Sequence, residues 1–259
     1  MTKFSGAGAP GQEGALDGDA RRSYTNGMDI SQPSVLSAAE SGVREFMHRV
    51  FGWMAAGLVV TGACALYMAS DPRMIVHLIG NPVLFWGLMI AELGLVFFLS
   101  GWVTRMEAST AKFAFLFYAA LTGVSLSTVF LVYTRGSIAS TFFVTAGTFG
   151  VMSAYGWLTK TDLTSFGKLL FMALIGIVLG SVVNFWLRSP GLSWAFTYVG
   201  ILVFTGLTAY DTQKIKAMYR DGAGDDEETK EAILGALALY LDFINLFLDL
   251  LRVMGSRRD

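Results

Sequence analysis

Seven stretches of mostly apolar residues fill most of this chain, at 46–69, 83–104, 110–133, 138–158, 167–187, 193–213 and 232–253. Each has the ~20 residues that a helix needs to cross a bilayer. In lipid the backbone N–H and C=O groups must be satisfied within the protein, so an uninterrupted apolar run of this length is read as a helix. The spacing therefore predicts an all-α membrane protein with seven transmembrane helices. Composition agrees: 54% of the 259 residues are hydrophobic and 15% charged, against about 25% charged in soluble domains. The connections between segments are short, so any chemistry must lie within the membrane or at its two faces.

Lysine and arginine set the expected orientation, because they favour the cytoplasmic side in short loops. Lys3, Arg21, Arg22, Arg44, Arg49, Arg105, Lys112, Lys160, Lys168, Lys214, Lys216, Arg220 and Lys230 fall on one side, thirteen of the nineteen cations. Arg73, Arg135 and Arg188 fall on the other. The amino terminus is expected in the cytoplasm. Arg252, Arg257 and Arg258 follow the seventh segment and dissent from a simple seven-span count. Either the earlier bias overrides them, or the last segment is a buried, partly inserted helix that returns toward the cytoplasmic face.

Residues 1–43, rich in Gly, Ala, Asp and Ser, show no apolar periodicity and are expected to be a disordered cytoplasmic tail. No apolar core follows the first positive charges as a secretory leader would require. The bundle is expected over 44–255, with a short C-terminal tail at 256–259. A net charge of −1 and the lack of a basic cluster interleaved with aromatic residues argue against nucleic acid as a partner. The one cysteine, Cys64, has no partner for a disulfide or a thiolate metal site and reads as packing.

The last segment contains ALYLDFINLFLDLLRVMG. Asp242, Asn245 and Asp249 stand at i, i+3 and i+7, which places them on one face of a helix. Asp242 lies near the middle of its segment, where an aspartate costs about 2.5–3.5 kcal/mol on insertion scales. Such a cost marks either a packing hydrogen bond or an ion or proton path, and the second is favoured. A carboxylate on the preceding segment, Asp211 in FTGLTAYDTQKIKAMY, sits near its cytoplasmic end beside Thr208 and Thr212. Two carboxylates on consecutive helices could share one proton, since ionising both together is costly. Such a pair would be bridged and closed in acid, charged and open in base.

The strings ALYLDFINLFLDLLRVMG (238–255), YDTQKIK (210–216) and LFYAALTGVSLSTVFLVYT (116–134) resemble the Bax inhibitor-1 family, also called transmembrane Bax inhibitor motif proteins, over about residues 40–255. The resemblance implies six helices around a central C-terminal seventh and a pH-sensitive calcium leak sensed by an aspartate pair, Asp211 with Asp242. It further implies Arg105, in SGWVTRM, as the arginine that pairs with the first aspartate when the pore closes. A second pair, a mid-helix glutamate with an arginine ending the last helix, maps onto Glu92 and Arg252.

Glu92 is the only acidic residue inside 83–104, so a partner such as Arg252 would offset its desolvation. Asp249 competes for the same arginine, which stands at i+3. The acidic tract DGAGDDEETKE (221–231) lacks EF-hand spacing and reads as a solvated linker. TGVSLS (122–127), TAGTFG (145–150) and GIVLGS (176–181) put small residues at helical spacing and read as close helix packing. Asn184 either lines a path or bonds across helices.

Three function classes remain. The leading one is a calcium leak channel or exchanger of a bacterial cytoplasmic (inner) membrane, with Asp211 and Asp242 as pH sensor, ion path and transient Ca²⁺ ligands. The second is a regulatory protein that restrains a membrane protease or another membrane partner, its tail serving as a contact arm. The third, an intramembrane aspartyl protease, fits less well, since Asp242 follows Leu239, Tyr240 and Leu241 rather than a GxGD-like motif. With only His48 and His77, a Ser-His centre or His-rich metal site has little material, and no phosphate-cradling GxxxxGK[ST] loop is present. The expectation is no enzyme activity and no cofactor; the lipid bilayer, Ca²⁺ and protons are the partners.

Overall fold

The computed structural model describes residues 33–258. The helices are α1 (Pro33–Ser70), α2 (Pro72–Gly80), α3 (Pro82–Trp102), α4 (Ala108–Leu126), α5 (Val129–Val132), α6 (Arg135–Leu158), α7 (Thr164–Leu187), α8 (Pro190–Lys216) and α9 (Asp225–Met254). Helix α3 runs on into a 3₁₀ turn, Val103–Arg105. Seven helical stretches among the described residues are long and apolar enough to cross a membrane, and they match the seven expected segments. Of the expected tail, 1–32 lies outside the described residues, while the backbone from Pro33 is already helical.

The helix ends follow local chemistry. Helices α2, α3 and α8 start with proline at the first helical position, preceded by Asp71, Asn81 and Ser189. Those side chains accept from Arg73 N (3.0 Å), Val83 N (3.0 Å) and Leu192 N (3.4 Å). Helix α2, nine residues long, is too short to be picked out by a search for spans. The third expected segment breaks at Ser127 and Thr128, whose hydroxyls donate to Val124 O (2.6 Å) and Ser125 O (2.8 Å). Hydroxyls that bond to the preceding turn in this way compete with the helical ladder.

Helix α9 is the central element: 56% of its most apolar window is buried, against 6% for the second span. Helices α4, α6 and α8 pack directly on it, and α1 reaches it through side chains. Helix α7 packs mainly on α8, and α3 on α4. The heart of the core is Tyr240, wholly buried, with the rings of Phe115 and Tyr118 set edge-on at 5.9 Å. Thr61 donates to Ala119 O (2.8 Å) and stands 2.6 Å from the Tyr240 hydroxyl. With the Thr61 proton committed to Ala119, Tyr240 donates to Thr61, and a polar group in an apolar centre is satisfied.

Small residues let helices touch, but not everywhere they occur. A Cβ on Gly123 would stand 2.5 Å from the Thr61 carbonyl oxygen, and Gly156 abuts the Ala209 backbone. Gly147, Gly150 and Gly176 face nothing within 4 Å, so only part of the small-residue pattern serves packing.

One end of the bundle is closed by ion pairs. Arg49 meets Asp225 (3.0 Å), Glu45 (3.2 Å) and Glu228 (3.7 Å), and Lys230 meets Asp226 (2.8 Å). Asp226 also accepts from Ala108 N (3.1 Å), capping α4 from another helix. Arg220 pairs with Glu231 and with Glu227 (3.4 Å). The hydrogen bond that Arg220 donates to Glu231, then the nearby carboxylate charges, raise the Arg220 pKa above its ordinary value. The acidic tract expected as a solvated linker keeps mostly exposed carboxylates, but from Asp225 on it is the start of α9, where carboxylates also complement the helix dipole. In the α6–α7 connection, Asp162 accepts from Thr164 N (2.8 Å), and its hydrogen bonds to Thr164 hold its carboxyl below the usual range.

At the other end the chain does not trail away. Residues 255–258 return to the α5–α6 connection, where Thr134 N donates to Ser256 O (3.1 Å) and Arg258 N to Val132 O (2.9 Å). The Arg258 guanidinium donates to Phe130 O (2.9 Å). Helix α9 therefore runs the full distance between the two ends, about 45 Å for its thirty residues. Helix α9 is continuous from Asp225 to Met254, with no break at which it doubles back.

Candidate functional site

On α9 the positions Ala238, Leu241, Asp242, Asn245, Leu248, Asp249 and Arg252 line one cavity of about 1400 Å³. Their spacing is that of a single helix face, and from Ala238 to Arg252 it extends about 21 Å, most of the ~30 Å hydrocarbon core. Helix α8 contributes Asp211 and Lys214, α7 contributes Lys168 and Ser181, and α3 contributes Ser100. The polar stripe read from the sequence thus faces a partly open cavity between helices. Lysines stand at one end, carboxylates and an amide along the middle, and an arginine at the other end.

The structure brings Asp211 and Asp242 together, with their carboxyl groups facing each other within hydrogen-bonding reach. Asp242 is only 5% exposed, and its Oδ2 is buried without a hydrogen-bond partner. Thr208 and Thr212 do not serve the pair, since their hydroxyls donate to Phe204 O (2.8 Å) and Thr208 O (2.7 Å) of their own helix. Asn245 donates to Leu241 O (2.8 Å), which ties its amide nitrogen to the helix. Asp249, one helical turn further on, rests against Gly200 of α8, where any Cβ would collide with its carboxylate.

The remaining expected residues sit elsewhere. Arg105 is exposed in the 3₁₀ turn after α3 and makes no ion pair with Asp211 in this structure. The expected Glu92–Arg252 pair is not formed. Glu92 is half-buried on α3, which packs on α4, and accepts a hydrogen bond from Ser125 of that helix. Arg252 projects toward the start of α8, its guanidinium 5.6 Å from the Trp194 ring centre. Asn184 donates to Ser189 O (3.2 Å) and Ser193 Oγ (2.8 Å) and accepts from Ser189 N (3.0 Å), tying the α7–α8 turn together.

Several residues that position the site escaped the sequence reading. Gln213, in the YDTQ string, accepts from Leu163 N (2.8 Å) and donates to Thr161 O (2.8 Å), fixing the end of α8 that carries Asp211. Lys216 donates to Trp157 O (3.0 Å) and lies over the Trp157 ring. Gly167 of α7 lets the ring of Tyr210 lie flat against its backbone. The only sequence signal for these is their closeness to Asp211.

A family model described as inhibitor of apoptosis-promoting Bax1 matches residues 43–259. The chain belongs to the Bax inhibitor-1 family. It is 54% identical over 220 residues to the inner membrane protein YbhL of Escherichia coli strain K12, covering 84% of this chain and 94% of that one. An uncharacterised protein of Rickettsia prowazekii is 45% identical over 221 residues, 85% of this chain and 93% of its own. An uncharacterised protein of Caulobacter vibrioides is 38% identical over 250 residues, 93% of this chain and 99% of its own. The family membership inferred from the aspartate-bearing strings is thereby established.

Proposed function

We propose that this protein is a proton-sensitive calcium leak path of the bacterial inner membrane, with its amino terminus in the cytoplasm. The observation that carries the reading is the single cavity that runs along α9 and holds Asp211, Asp242, Asn245 and Asp249. Calcium prefers six to eight oxygen ligands. Two facing carboxylates supply part of such a shell, the Asn245 amide oxygen can add to it, and water completes it. A site short of a full protein shell binds weakly enough to release the ion, which conduction requires.

The same carboxyls couple the path to protons. Held close together in a poorly solvated space, they keep one proton between them when protons are abundant, and the bridged pair neither attracts a cation nor leaves room for one. Loss of that proton exposes two negative charges to the path. The ion-pair end, with Lys168 and Lys214 at the cavity mouth, is the cytoplasmic end by the thirteen-to-three charge bias. The named inner-membrane location of the YbhL relative supports the same membrane for this chain.

The test is calcium entry into dye-loaded proteoliposomes at a fixed alkaline pH. The wild-type chain is expected to exceed empty vesicles, and Asp242→Asn to fall by about tenfold or more, the scale set by removing a desolvated charge from the path. Flux equal to that of empty vesicles would overturn the reading.

A further inference from the structure

Two of the three arginines that dissent from the charge bias, Arg252 and Arg257, are exposed but gather at one site. Arg252 and Arg257, together with Arg188, line a polar pocket of about 670 Å³ with Asn184, Ser193 and Trp194. They converge from three elements: the residue after α7, the last turn of α9, and the returning C-terminal segment. Among the described residues Arg188 and Arg257 form no ion pair, and Arg252 lies over the Trp194 ring.

Two features mark the pocket as built. Arg188 caps α7 at φ 51°, ψ 34°, a left-handed position where glycine is the usual residue. Its N–H closes α7 onto Asn184 O (2.7 Å), and the left-handed turn there brings the long cationic side chain to the pocket wall. The second is the C-terminal return. Its backbone bonds to 132–134 fix residues 256–258 in an extended form, so neighbouring side chains point to opposite sides. Arg258 turns to Phe130 O, and Arg257 is thereby directed into the pocket.

We propose that this pocket binds the phosphate group of an anionic phospholipid. Planar guanidinium forks match phosphate oxygens, and a tetrahedral phosphate can take donors from several arginines at once. The depth is right: the pocket sits at the end of three spanning helices, with Trp194 at its wall, where lipid headgroups and interfacial tryptophans lie. A lipid also fits what adjoins it. Ser181, Phe196 and Arg252 belong both to this pocket and to the large cavity, whose α7 wall of Ile177, Val178 and Val182 is apolar. An acyl chain can lie along that wall while its phosphate meets the arginines. The site does not depend on whether the cavity conducts ions.

The test uses the full-length chain in a neutral maltoside detergent, with native mass spectrometry to count bound molecules of dioleoyl phosphatidylglycerol, dioleoylglycerol or inorganic phosphate. Phosphatidylglycerol is expected to be retained one to one, and dioleoylglycerol, which lacks the phosphate, not to be. The double variant R188Q/R257Q should bind phosphatidylglycerol about tenfold more weakly. R188G guards against misfolding, because glycine suits the backbone there. It should melt no lower than wild type without lipid and still lose affinity. Phosphatidylglycerol binding that is unchanged in both variants, or matched by dioleoylglycerol, would overturn the proposal. Inorganic phosphate binding as tightly as the lipid would overturn its lipid source.

Discussion

Replacing Gly123 with alanine is a direct test of how α1 and α4 meet. The new methyl would stand 2.5 Å from the Thr61 carbonyl oxygen, 2.7 Å from the Cys64 Cβ and 3.0 Å from the Thr61 Cα, whereas ordinary contact begins at 3.4 Å. The obstacle is backbone, which cannot rotate away, so the helices must part by close to an ångström in a region packed like a crystal. Overpacking of this kind costs about 1–3 kcal/mol. The hydroxyl of Thr61, which links Ala119 to Tyr240, moves with its backbone and adds up to ~1 kcal/mol. Against this, alanine gains about 0.8–1 kcal/mol over glycine in helix propensity, which leaves a net loss of up to about 3 kcal/mol. The control is Gly62→Ala, one residue from Thr61 on the facing helix, where an added Cβ meets nothing within 4 Å. Its stability should be unchanged or higher. Tryptophan-fluorescence melting in detergent, with both variants in parallel, reads the difference. Equal melting of Gly123→Ala and Gly62→Ala would refute the close approach of the two helices.

Thr61→Val leaves the Tyr240 hydroxyl buried without its partner and should cost about 1–3 kcal/mol. Tyr240→Phe in the same background should then cost little more, so a double-mutant cycle is expected to be non-additive; additive losses would deny the 2.6 Å contact. Neutralising the cavity mouth with K168Q/K214Q should raise calcium flux by roughly two- to tenfold at low ionic strength and less at high salt, because positive charge at an entrance depletes cations there. A fall in flux would place the entrance elsewhere.

Much of this architecture was legible because membrane solvation is a severe constraint. Seven apolar runs of spanning length leave the backbone one economical solution, and all seven appear as helices. The polar stripe at 242, 245 and 249 was readable from helical periodicity, and its place along a cavity between helices follows from the cost of showing it to lipid. Pairings across helices were less legible. Glu92 and Arg252 each needed a partner, but spacing along one helix cannot say which neighbour faces it, and Ser125 and Trp194 took those places. The acidic tract at 221–231 is largely solvated as read, but its bonds to Arg49 and the Ala108 amide were not legible, because those partners are far away in sequence. Helix α2 is amphipathic but too short to span, and the docked C-terminal return is too short to carry a periodic signal. Gly123 and Gly147 look alike in sequence, yet only the first meets another helix.

The facing carboxyls of Asp211 and Asp242 are the centre of this account, and the pH profile of calcium flux probes them most directly. Proteoliposomes carrying the wild-type chain, Asp211→Asn or Asp242→Asn would be compared from pH 6 to 8. Because protonation bridges the pair and deprotonation charges the path, wild-type flux is expected to rise with pH, and each asparagine variant to lose that rise. A wild-type flux that is flat across this range, or a rise that survives in both variants, would contradict the assignment of the pair as the sensor.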